Sequence, residues 1–94
     1  MSDGPGRAVP RPFKLHWGEG QIAEEATHAG EHHEASLQLL EFEDGEVQIR
    51  FCYYNLAGRF QRSPLIVGQN EIAGLRDSLT ATPRLRSLLK QMVG

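Results

Sequence analysis

Between Ala35 and Val67 the chain alternates as strands do, yet apolar residues occupy both sets of alternate positions. An antiparallel sheet with one solvated face reads apolar on one side and polar on the other. Here both faces need cover, and the residues after Val67 supply one helical layer. This mismatch limits the fold to a sheet with helices on one face. A partner copy, a ligand, a nucleic acid or the N-terminal segment must cover the other.

Turn residues divide the stretch. Asp44-Gly45 is a short-range hairpin signal, and Leu56-Ala57-Gly58 fits a three-residue loop with Gly58 in the left-handed region. The segments 35–43, 46–55 and 59–67 are therefore expected strands, with Pro64 placing the last at an edge or a bulge. Phe13–Trp17 alternates as a short strand, while 21–27 fits a strand or a loose helical turn. At the C-terminus, Asn70 is the expected N-cap of a helix striped by Ile72, Leu75 and Leu79. Thr82-Pro83 restarts or kinks it, and Leu85, Leu88, Leu89 and Met92 stripe the second piece. The expected fold is α+β: an antiparallel β-meander of about four strands, followed by a C-terminal helix or helix pair packed on one sheet face.

Register decides which side chains share a face. A two-residue Asp44-Gly45 loop would set Phe42 opposite Val47, Leu40 opposite Ile49 and Leu39 opposite Arg50. A three-residue loop at 56–58 would set Tyr54 opposite Phe60 and Cys52 opposite Arg62. The core face would then carry Leu40, Phe42, Val47, Ile49, Phe51, Tyr53, Leu65 and Val67. The second face would carry Leu37, Leu39, Gln48, Arg50, Cys52, Tyr54, Phe60, Arg62 and Ile66. Phe13, Leu15 and Trp17 could fold back over it. A homodimer could also bury it, as a domain of 94 residues is often marginal alone.

The net charge of −2 conceals a segregation. Residues 15–49 hold nine acidic residues and no Lys or Arg, whereas 50–94 hold seven basic and two acidic ones. Such asymmetry marks a polar partner surface, or two halves that neutralise each other. No apolar run is long enough to span a bilayer. The Pro/Gly-rich residues 1–11 read as a disordered tail that is not a signal peptide, ahead of a single domain over 12–94. The single Cys52 points to a reducing compartment, with the cytoplasm as the default.

Chemistry is sparse. No Ser-His-Asp arrangement, phosphate loop or glycine fingerprint is present, so the expectation is a protein without enzyme activity or cofactor. His28, His32 and His33 are weak candidates for a metal site, lacking a cysteine or a second ligand pair, and read better as a solvated loop. Glu24-Glu25 and Glu41/Glu43 read as solvated acids. The leading expectation is a small interaction module that binds a protein partner or itself through a sheet face. The alternatives are a single-stranded nucleic acid on the same face and the histidine metal site. Arg50, Tyr54, Phe60 and Arg62 form the candidate surface, because arginines hold phosphates and aromatics stack on unpaired bases. An ordinary cross-strand aromatic pair, flanked by arginines that pair with the acidic half of the chain, is the plainer reading.

Residues 47–79, VQIRFCYYNLAGRFQRSPLIVGQNEIAGLRDSL, run from a basic strand into an apolar one (LIV), a polar corner (GQN) and a helix. This order resembles the PC4-like and Whirly-like single-stranded DNA-binding domains. The resemblance implies dimerisation through the helix and strand binding on the sheet, at Arg50, Tyr54, Phe60 and Arg62. It covers about a third of the chain, and RFQRSP stands where those families carry a lysine-rich strand and a glycine.

Overall fold

The computed structural model describes residues 8–94. Residues 1–7 of the expected tail lie outside the described residues, and Arg11 already belongs to the first strand. Five strands succeed one another as an antiparallel meander: β1 (Arg11–Leu15), β2 (Gly18–Ala29), β3 (His33–Phe42), β4 (Val47–Asn55) and β5 (Phe60–Gln61). The ambiguous 21–27 segment lies within β2, the longest strand. Helices α1 (Ile72–Leu79) and α2 (Pro83–Val93) pack on one face. The fold is the expected α+β meander with a helix pair.

The second hairpin has the expected register, with Tyr54 opposite Phe60 and Gly58 at φ +86°. The first is shifted by one residue. Phe42 N–H donates to Glu46 O at 2.8 Å and Gly45 N–H to Phe42 O at 2.9 Å, which closes a three-residue loop at 43–45. Gly45 has φ +94°, but Asp44 does not enter the positive-φ region that a two-residue type I′ turn needs. Gln38 therefore faces Arg50, Leu39 faces Ile49 and Leu40 faces Gln48.

A one-residue shift moves every β3 side chain to the other face. Leu37 and Leu39 join Ala26, Ala35, Leu75 and Leu85 in the helix-packed core, bordered by Ile49, Leu65 and Val67. Leu40 and Phe42 instead pack with Phe13 and Ile22 in a second core on the opposite face. Of the expected core face, Val47 and Phe51 are left exposed. Both faces of β3 are indeed covered, one by helices and the other by the sheet's own curvature.

That curvature has a local cause. Ala23 is an extra residue in β2, where the pairing jumps between Ile22 and Glu24. A bulge bends and twists its strand. It also puts Ile22 and Glu25 on the concave face while Glu24 and Ala26 face the helices. The sheet curls into a half-barrel, so that Arg11 on β1 reaches Tyr54 on β4 at 3.0 Å although the strands are not neighbours. The N-terminal segment covers only the Phe42 end of this face: Phe13 meets Phe42 edge-on at 4.9 Å, and Trp17 stacks on Phe42 at 5.3 Å while staying largely exposed.

The helices are tied to β2. Glu24 accepts from the Leu85 N–H at 2.9 Å, at the first turn of α2, and Ser78 Oγ accepts from the Thr27 N–H at 3.0 Å. Glu41 pairs with Arg84 at 2.6 Å. Neither Glu24 nor Glu41 is the free solvated acid expected. Asn70 is not an N-cap: it lies in a 3₁₀ turn, Gln69–Glu71, that precedes α1. Pro83 opens α2 as expected, but the Thr82 hydroxyl bonds back to Leu79 O rather than capping. Pro64 comes after a β5 of only two residues, well short of the expected 59–67 strand.

Candidate functional site

The floor of the concave face is a buried polar network. The Glu25 side chain is 6% exposed and accepts from Arg11 Nη1 at 2.7 Å, Ser36 Oγ at 2.5 Å and Gln38 Nε2 at 3.1 Å. Burial pushes this carboxyl up. The donations from Arg11, Ser36 and Gln38 outweigh it and hold the group below the ordinary glutamate value. Arg11 Nη2 and Gln38 Nε2 both donate to Tyr54 Oη, each at 3.0 Å. The network neutralises Arg11 and fixes Tyr54.

Arg50 sits differently. Its Nε donates to Gln38 Oε1 at 2.8 Å, and its guanidinium lies 5.0 Å from the centre of the Phe60 ring. An amide and an aromatic face leave the charge uncancelled, and no carboxylate among the described residues pairs with Arg50. Phe60 is 44% exposed and meets the buried Tyr54 edge-on at 5.7 Å.

Above this floor opens a cleft of about 760 Å³, between β1 on one side and β4–β5 on the other. That volume is in the range of small-molecule sites. Arg50 and Arg62 line it with the paired Arg11, and no Asp or Glu does among the described residues; Lys14 stands at the β1 rim, on the strand face opposite Arg11 and Phe13 and across from Glu19. In a chain of net charge −2, this is the cationic end of the segregation seen in the sequence.

All four expected surface residues, Arg50, Tyr54, Phe60 and Arg62, line this one cleft. Their roles divide. Tyr54 is buried with its hydroxyl engaged and supports Phe60, while Phe60 presents a ring and the arginines present charge. Arg11 is the residue that sequence reasoning missed: the sequence assigns it to the tail, and no local pattern discloses that the sheet curls β1 toward β4.

Cys52 is buried beside Ser36, and burial pushes its thiol up against the opposing pull of Arg50. This is the state of a packed thiol rather than a nucleophile. The histidines diverge. His28 packs under α1, so closely that a Cβ on Gly74 would collide with its Nδ1. His33 lies 4.9 Å from the Tyr53 ring, and His32 is exposed near Glu31. They border a recess of about 430 Å³ with Asn70 and Glu71, but no group of three His, Cys, Asp or Glu able to hold a metal ion occurs among the described residues. No described helix is long and apolar enough to cross a membrane. Comparison with known proteins finds no matching family model, no similar curated protein and no similar solved structure.

Proposed function

We propose that the protein is a non-enzymatic binding module whose concave cleft takes single-stranded nucleic acid. The observation that carries this reading is the lining of the cleft: Arg50 and Arg62 without a carboxylate, beside the half-exposed ring of Phe60. Phosphates need unneutralised cations, and unpaired bases need an exposed aromatic face. A protein partner, the leading sequence expectation, is less well served, because interface cores are depleted in charge and this cleft is rich in it.

The test is fluorescence anisotropy with a labelled oligothymidine and a matched duplex, titrated over a range of salt. Single strands should bind and duplex should not. Affinity should fall with salt, and Arg50→Ala or Arg62→Ala should each reduce the salt slope by about one. Phe60→Ala should weaken binding by about 1–3 kcal/mol at every salt concentration. Absence of single-strand binding at low salt, or binding indifferent to these changes, would overturn the proposal.

A further inference from the structure

β4 pairs along its whole length with β3, but on its outer side only Tyr53 and Tyr54 meet β5. From Val47 to Cys52 no described strand pairs with that edge. Asn55 N–H bonds toward Arg59 on this side, and strand bonding alternates, so Val47, Ile49 and Phe51 turn their N–H and C=O groups outward. Proteins blunt such edges with proline, lysine or a covering segment. The opposite edge strand, β1, carries Pro12 and Lys14. VQIRFC carries neither, and it leaves Val47 41% and Phe51 49% exposed.

We propose that a second copy of this chain pairs with this edge, β4 against β4 antiparallel about a twofold axis at Ile49. Steric and charge matching select this register. It sets the exposed Val47 of each copy opposite the exposed Phe51 of the other, Ile49 opposite itself and Gln48 opposite Arg50. Outward-bonding residues meet one another, so each such pair can exchange both backbone bonds. A shift of the axis to Arg50 would set two arginines directly opposite and drive Val47 into the position that Gln61 holds beside Tyr53. The two sheets then join into one.

Solution mass by light scattering at two concentrations tests the pairing, on the full chain and on two double variants at exposed positions. The wild type should be dimeric. Val47→Lys with Phe51→Lys sets lysine opposite lysine twice, and should raise the dimer dissociation constant by about tenfold or more. Val47→Lys with Phe51→Glu sets lysine opposite glutamate twice and should restore the dimer. A wild type that is monomeric at both concentrations overturns the proposal. So does a lysine–lysine variant as dimeric as the wild type, or a lysine–glutamate variant that behaves like the lysine–lysine one.

Discussion

Glu25 is the residue on which the concave face depends. It lies almost fully buried, yet stays ionised below the ordinary glutamate range because Arg11, Ser36 and Gln38 all donate to it. Replacing it with Gln keeps the volume but leaves Arg11 without this carboxylate. Breaking a buried pair from one side costs about 3 kcal/mol where the partner keeps some water contact, as Arg11 does. Urea unfolding of Glu25→Gln at pH 7 should show that loss. The sign of the shift sets the pH dependence. A carboxyl lowered on folding adds stability above its unfolded value, near 4.5, and the contribution disappears as pH falls through the folded value. The wild type should therefore lose stability more steeply than Glu25→Gln below about pH 4.5. Parallel curves would mean that Glu25 is not the group responsible.

Glu24, one residue away, works at the scale of elements. The bulge at Ala23 and the alternation of β2 turn it toward the helices, where it takes the Leu85 N–H that the first turn of α2 leaves unsatisfied. Glu24→Ala should cost about 1 kcal/mol, the usual value of a lost cap, with the earliest loss of amide-exchange protection at the start of α2. Uniform protection across α2 would refute the cap. The pair Glu24-Glu25 also shows where the sequence stops being legible. Strand order, the Gly58 loop and the Pro83 break are readable because each is set by a few local residues. The faces of β3 are not, because type I′ and three-residue turns both accept Asp-Gly, and one residue of register exchanges Leu39 for Leu40. The bulge leaves no signature in QIAEEAT, so two acids that look solvated end as a helix cap and a buried ion pair. The four cleft residues were legible because β4–β5 register was, whereas the reach of Arg11 to Tyr54 depends on a curl that no local pattern records.

At the scale of the whole molecule, the half-barrel replaces a missing second layer. A domain of this size has few spare apolar residues, and helices cover only one face of β3. The other face is sealed at one end by β1, through Phe13 and Leu15 against Ile22, Leu40 and Phe42, and left open at the other as the cationic cleft. β1 is thus both wall of the cleft and part of the core. A chain lacking residues 1–16 should lose the burial of two apolar side chains, roughly 1.5–3 kcal/mol each, together with the Arg11 pairing of Glu25. That sum approaches the 5–15 kcal/mol that typically holds a small domain. Thermal melting tracked by near-UV circular dichroism should show a broad or absent transition in the shortened chain, with dye binding to the uncovered Ile22, Leu40 and Phe42. A sharp transition within a few degrees of the full-length chain would show instead that the concave core holds without β1.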